Sequence, residues 1–298
     1  MFLASNSPCS PRESWDLCRV TRPDAKSNTL CPMSSFKFLT AECGNSGVVV
    51  VRLARPPVNA IDRDMYIEIA RMFSDPDQIG TGVRAIVLAG EGPHFCAGND
   101  LDEFATMTPE NGAERMWRVR EAFFAIQDCP VPVIGAVHGA ALGTGLAIAA
   151  SCDFVVAARG ARFGLPELTV GVMGGARHLA RLAPEPLVRR MFFTGEHLSA
   201  EQLAEASGAL VVCELEELLD RARAFAARIA SFSPTAVRLA KRVLNRIETM
   251  DLKAGYELEQ SYTVKMSGHP DSQEALHAFR HKREPEYLSL TGPQPPII

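Results

Sequence analysis

The sequence predicts a mixed α/β chain in which largely parallel strands are joined by crossover helices and followed by a region of helices alone. Three observations predict it. Short apolar runs, Val48–Leu53, Val83–Ala89, Pro132–Gly139 and Phe154–Ala158, have the length of buried strands and almost no polar alternation. Between them lie stretches with helical spacing: Met65, Ile69, Met72 and Phe73 within 62–74, and Met116, Val119, Phe123 and Ile126 within 113–127. Beyond Pro184 the apolar positions repeat almost wholly at helical spacing. Leu215, Leu218, Leu219, Ala222, Phe225 and Ile229 mark one such helix, and Val237, Ala240, Val243, Leu244 and Ile247 a second. Residues 252–266 and 271–281 continue the series.

Taken in order, residues 1–32 are rich in Ser, Pro, Asn and Cys, have no helical or strand period, and lack the apolar run of a secretory signal. They are expected to be disordered, with the folded chain opening near Met33. An over-extended reading frame is the simplest account of them, and a targeting extension is the alternative. Residues 33–230 form the α/β core, 231–284 the helical region and 285–298 a tail. No internal repeat or low-complexity segment separates core from helices.

Composition bounds the function. The chain has 298 residues, 47% hydrophobic and 22% charged, enough for a sizeable core. A net charge of -4 leaves no basic footprint for nucleic acid and no polybasic membrane patch. The eight cysteines are scattered, without C-x-x-C or zinc spacing, and read as buried free thiols of a reducing cytosol.

The informative stretch is HGAALGTGLAIAASCDF, His138–Phe154. A strand enters it, a small-residue helix leaves it, and Leu142-Gly143-Thr144-Gly145 makes the turn. A glycine turn that opens a helix leaves backbone N–H groups pointing one way, ready for an oxygen with negative charge. Between Val131 and Cys152 the sole ionisable side chain other than cysteine is His138, so the turn belongs deep in the molecule. A membrane span is disfavoured by the Ala/Gly content, His138 and Asp153. A dinucleotide loop fails because Ile148 holds the third glycine position. A plain buried strand–turn–helix would need no function, and two further stretches argue against that reading. Gly90–Phe104 follows an apolar strand and turns through Gly98; Arg162–Leu182 sets Glu167 among apolar residues ahead of Gly174-Gly175.

Together these three stretches resemble the crotonase superfamily, the enoyl-CoA hydratases and isomerases, over about residues 48–283. The resemblance implies a spiral ββα-superhelical α/β core with a C-terminal helical oligomerisation region, in a homotrimer or homohexamer. It implies an acyl-CoA substrate, with CoA arriving as part of the substrate and no separate cofactor or metal. In this family two backbone N–H groups hold the thioester oxyanion; by position they are those of Asn99 and Thr144, with Ala97, Gly98 and Gly143 around them in contact with substrate. Each such donor is worth ~2.7–4 kcal/mol in comparable sites. Glu167 matches the second catalytic glutamate, whose apolar surroundings should raise its pKa toward neutrality. Gly175 matches the glycine whose N–H positions water or substrate. Arg55 and Lys282 match places where basic side chains meet the CoA phosphates, and Phe279 a place near the adenine of an adjacent subunit.

The chain departs from the two-glutamate hydratases at Ala147, where the first glutamate would stand. Adding water across a double bond wants one group to activate the water and another to deliver a proton. A 1,3-proton shift needs one carboxylate. The pattern therefore favours enoyl-CoA isomerisation, with hydration, thioester hydrolysis or non-catalytic acyl-CoA binding as the alternatives. Glu121 and Asp153 are the nearest substitutes for the missing carboxylate, and read more simply as a surface-helix residue and a buried cap. His94 and His138 read more simply as loop or core histidines, and Trp117 and Met116 as a packed helix face. His178 stands where the family more often has a small residue, which suggests a reshaped helix start.

Overall fold

The computed structural model describes residues 29–30, 36–44, 46–80 and 82–287. Of the segment 1–32 expected to be disordered, all but 29–30 lies outside them, as does most of the expected tail. The first elements are strands β1 (Thr29–Leu30), β2 (Leu39–Cys43) and β3 (Val48–Leu53), paired antiparallel in that order. β1 falls inside the segment expected to be disordered, with Thr29 opposite Cys43 and Leu30 opposite Glu42. Helix α1 (Arg63–Ser74) starts at Asp62, whose side chain accepts from Met65 N–H, and buries Met65, Tyr66, Ile69, Met72 and Phe73. Strand β4 (Ala85–Gly90) follows, then α2 (Leu101–Phe104) and α3 (Pro109–Gln127), which packs along α1.

Next come β5 (Val133–Val137), β6 (Ala140–Leu142), α4 (Thr144–Ser151), β7 (Phe154–Ala158) and β8 (Arg162–Gly164). They are followed by α5 (Ala176–Leu179), α6 (Glu185–Thr194), β9 (His197–Ser199), α7 (Ala200–Ser207), β10 (Leu210–Cys213) and α8 (Leu218–Ala230). The main sheet runs β1-β2-β3-β4-β5-β7-β10 and is parallel from β3 onward. A second sheet, β6-β8-β9, stands apart from it. β9 and β10 correct the reading of the chain after Pro184 as almost wholly helical. Each is three or four residues long, and tertiary pairing rather than local pattern makes it a strand.

The near-continuous apolar runs follow from burial of the main sheet on both faces. Val49, Val51, Ile86, Leu88 and Val155 join the core beneath α1, α3 and α4. Their sequence neighbours Val50, Val87, Ile134 and Val156 pack with Leu218, Ala222 and Ala226 of α8. Cys96, Cys129, Cys152 and Cys213 are free and buried. Cys43 is disulfide-bonded, which corrects the reading of all the cysteines as free thiols. Which sulfurs meet is set by the fold and not by their spacing.

The last three helices are α9 (Pro234–Ile247), α10 (Leu252–Ser267) and α11 (Pro270–Arg280). Lys241 of α9, almost fully buried, ties them to the core by donating to Val131 O at 3.1 Å and Asp153 Oδ2 at 2.8 Å. Leu252, Val264 and Phe279 are largely exposed on α10 and α11. Among the described residues, no helix is long and apolar enough to cross a membrane.

Helix α4 is buried along its whole length. Its first turn touches the chain after β4 so closely that a Cβ on Gly145 would collide with the Cys96 carbonyl. Gly145→Ala is therefore expected to lower the midpoint of thermal unfolding by roughly 5 °C or more, the scale of an overpacked core. Gly174→Ala, where a Cβ would meet nothing within 4 Å, is the control and should leave the midpoint unchanged.

Candidate active site

The chain leaving β4 and the chain leaving β5 run side by side. Phe95 N–H donates to His138 O (3.0 Å), Cys96 N–H to Ala140 O (3.0 Å) and Leu142 N–H to Cys96 O (3.1 Å). Each segment then turns at a glycine with positive φ, Gly98 at 114° and Gly143 at 54°. Most amides around the turns are spoken for. Ile61 N–H gives to Gly98 O (2.8 Å), Asp100 N–H to Ile61 O (2.9 Å), Ala97 N–H to Val58 O (3.0 Å) and Gly143 N–H to Gly164 O (2.9 Å). The N–H groups of Asn99 and Thr144 find no acceptor among the described residues, nor do those of Gly98, Gly145 and Leu146 beside them.

Tyr66 joins the two turns. Its hydroxyl donates to Asn99 Oδ1 (2.7 Å) and lies 3.0 Å from Thr144 Oγ1. The ring is 1% exposed, and burial pushes the phenol far above its ordinary pKa, so it stays protonated as a donor. Asn59, also buried, braces the first turn from behind, its amide reaching the carbonyls of Glu91 (2.8 Å) and His94 (2.9 Å). Neither residue is singled out by sequence reasoning. The available signal was a tyrosine on the apolar stripe of a helix, since a buried phenol needs a partner.

Glu167 stands on the other side of the second turn. It follows Pro166 and opens a short 3-10 turn, Glu167–Val170. Its Oε1 lies 2.8 Å from the point a Cβ on Gly143 would occupy. Only glycine leaves room for that carboxylate beside the Thr144 amide. The other oxygen, Oε2, is buried without a hydrogen-bond partner. Burial raises the Glu167 pKa to about 6, opposed in part by its own backbone N–H. Gly175 caps α5 with φ 77°, and a Cβ there would press on the end of the Leu165 side chain. Its N–H also has no acceptor among the described residues.

The family model for enoyl-CoA hydratase/isomerase matches residues 43–289. The chain belongs to the enoyl-CoA hydratase/isomerase family. It is 36% identical over 231 residues to a (7aS)-7a-methyl-1,5-dioxo-2,3,5,6,7,7a-hexahydro-1H-indene-carboxyl-CoA hydrolase of Rhodococcus jostii, covering 77% of this chain and 89% of that one. It is 32% identical to the 2,3-dehydroadipyl-CoA hydratase of Escherichia coli, covering 80% and 94%. The crystal structure of an enoyl-CoA hydratase from Mycobacterium smegmatis superposes with a TM-score of 0.79 at 30% identity, covering 85% and 99%. The α/β crotonase fold and an acyl-CoA enzyme of the hydratase/isomerase type follow.

The remaining residues of this family member separate into near and far. Ala97, Gly98 and Gly143 form the turns just described. Arg55 lies beside them, but its guanidinium is engaged by Asp62 (3.1 Å), Asp100 (2.7 Å) and Ala60 O (2.8 Å). Those aspartates cap α1 and α2, so Arg55 acts as a brace of the Asn99 turn. Phe279 and Lys282 lie on and just beyond α11, both exposed. Ala147 is buried on the first turn of α4. Glu121 is exposed, and Asp153 is occupied by Val133 N–H and Lys241, so neither takes the place of a carboxylate at 147. His138 bonds to Gly92 O (2.8 Å). His178 packs edge-on against Phe123, and burial with Arg181 and Arg177 lowers its pKa to about 4, so it is neutral near pH 7. Among the described residues there is no His, Cys, Asp or Glu cluster able to hold a metal ion.

A raised carboxylate pKa has a stability consequence. The folded state holds the Glu167 proton more tightly than the unfolded chain, so this contribution is present below pH about 4.5 and lost as pH rises through about 6. Glu167→Gln has no such loss. The thermal midpoint of the wild type should therefore fall relative to that variant between about pH 4.5 and 7.5, and parallel profiles would show that Glu167 titrates normally.

Proposed function

We propose that this chain is a single-carboxylate acyl-CoA enzyme that moves a double bond rather than hydrating one. The carrying observation is Glu167, a carboxylate with one buried, unpartnered oxygen, set against a turn whose Thr144 amide is free and tied through Tyr66 to the free Asn99 amide. In this reading the thioester oxygen accepts from both amides. Glu167 removes a proton from Cα of a 3-enoyl-CoA, the C–H electron pair passes into the adjacent carbonyl to give a dienolate, and its oxyanion is held by the two donors. Returning the same proton to C4 restores the carbonyl and leaves the double bond at C2–C3. A pKa of about 6 suits a group that must accept and then give back a proton near neutral pH. Water addition would call for a second group, and Ala147 offers none.

A second reading is thioester hydrolysis; the Rhodococcus relative is named a hydrolase, though its name does not say which bond it cuts. One carboxylate can activate water toward a carbonyl held on the same donors. The water oxygen bonds to the acyl carbon, the C–S bond breaks and CoA leaves as the thiol after taking up the proton. The exposed Leu252, Val264 and Phe279 on α10 and α11 support a homotrimer or homohexamer built through the helical region, which would let a neighbouring copy bring Phe279 toward bound CoA.

Substrate assays separate these readings. The wild type should convert a 3-enoyl-CoA faster than it hydrates the matching 2-enoyl-CoA, without release of free CoA. Appearance of free thiol selects hydrolysis, and binding without turnover selects a non-catalytic acyl-CoA binder. Glu167→Gln should reduce turnover by ~10²–10⁴ while acyl-CoA binding is retained, the range expected for loss of a general base.

Ala147→Glu tests the missing partner. Residue 147 lies one helical turn beyond Gly143, on the face that Glu167 approaches. Two carboxylates there would repel, raising one pKa and leaving an acid beside a base. Hydration relative to isomerisation should rise in this variant, with thermal unfolding checking that the larger side chain is tolerated. Efficient hydration by the wild type would overturn the single-carboxylate argument.

A further inference from the structure

We infer that the acyl end of the substrate carries a carboxylate, received by Arg115 in a cavity one side chain away from the two turns. The inference rests on the acyl-CoA reading above. The cavity, about 220 Å³, lies between α1, α2 and α3, and Tyr66 is part of its wall. The hydroxyl of the same Tyr66 bonds to the side chains of Asn99 and Thr144, so this one side chain stands between the cavity and the two turns. Its lining is unusual for a pocket that would take a plain alkyl chain. Three guanidiniums, Arg63, Arg115 and Arg118, face two carboxylates, Glu103 and Glu114, which leaves one positive charge uncompensated.

Pairing within the cavity shows which cation is available. Arg118 bonds to Glu114, and Arg63 stands 3.6 Å from the same carboxylate. Arg115, with a side chain only 11% exposed, spends Nη1 on Glu103. The Phe104 ring lies against its guanidinium, 5.1 Å from centroid to Cζ, and holds its plane. Nε and Nη2 are buried with no partner, as is Oε2 of Glu103 in the same cavity. These two nitrogens form one edge of the guanidinium, and that edge matches the two oxygens of a carboxylate. Buried donors without acceptors are costly, and an incoming carboxylate removes the cost while neutralising the surplus charge. A methyl-terminated chain would leave both nitrogens unpartnered.

The test is binding rather than turnover, so it does not depend on which reaction the site runs. Three unreactive saturated CoA thioesters of one acyl length, ending in a methyl group, a carboxylate or its methyl ester, are titrated calorimetrically into the full chain at about pH 7.5. The carboxylate-ended thioester should bind about tenfold or more tightly than either neutral one. Arg115→Met should abolish the preference and leave the methyl-ended affinity within about threefold. Because that variant strips Glu103 of its partner, Arg115→Lys is made beside it: the lysine can still meet Glu103 but lacks the two-nitrogen edge, and most of the preference should go. Equal binding of all three by the wild type, an ester that matches the acid, or a preference that survives intact in Arg115→Lys overturns the proposal. A wild type that binds none of the three overturns the acyl-CoA reading itself.

Discussion

Two hydrogen bonds at Cys96, to Ala140 O and from Leu142 N–H, are the constraint on which the site depends. They splice the segment after β4 to the one after β5, extending side by side two strands that already pair in the main sheet. With that register in place, the glycine turns at 98 and 143 fall side by side and both release an amide from backbone pairing. Gly145 is part of the same constraint, because no side chain fits between the first turn of α4 and the Cys96 carbonyl. A shift of one residue in this pairing would turn the free amides away from each other.

Around the splice, polar groups are buried in pairs that compensate one another. Asn59 satisfies carbonyls of the loop before Cys96, Arg55 links the cap aspartates of α1 and α2, and Tyr66 joins Asn99 to Thr144. Each of these would cost stability if left unpaired in an apolar interior. Together they hold the turns so that the amides need little rearrangement when charge develops before them. Among the buried groups left without protein partners are Glu167 Oε2 at the site and, in the cavity beside it, the Nε/Nη2 edge of Arg115 and Glu103 Oε2; Arg84 Nε and Thr235 Oγ1 are others, away from the site. Where such a group faces a cavity, a ligand that pairs with it removes the cost of leaving it unsatisfied.

Much of the fold was legible. Val48–Leu53 and Phe154–Ala158 are strands with the bounds their composition implies, and α1 and α3 lie where helical spacing puts them. β2 was missed, since Leu39–Cys43 mixes apolar and polar residues and its strand character comes from pairing with β3. β6, β8 and β9 were missed because three residues carry no readable period. The positions of Asn99, Thr144, Glu167 and Gly175 came from glycine-turn patterns, which are local. Tyr66, Asn59 and Arg115 belong to helices or loops distant in sequence, so no spacing rule connects them to the turns.

The sequence by itself determined the fold class, the glycine turns and the lack of a carboxylate at 147, because period, backbone freedom and side-chain chemistry are properties of neighbouring residues. The tertiary structure alone decided that Arg55 is engaged by two aspartates, that Cys43 is bonded, and that Phe279 and Lys282 are exposed. It also decided the raised pKa of Glu167 and the unpartnered edge of Arg115. Burial and partner choice depend on which distant segments meet, and a string of residue types does not contain that information until the chain has folded.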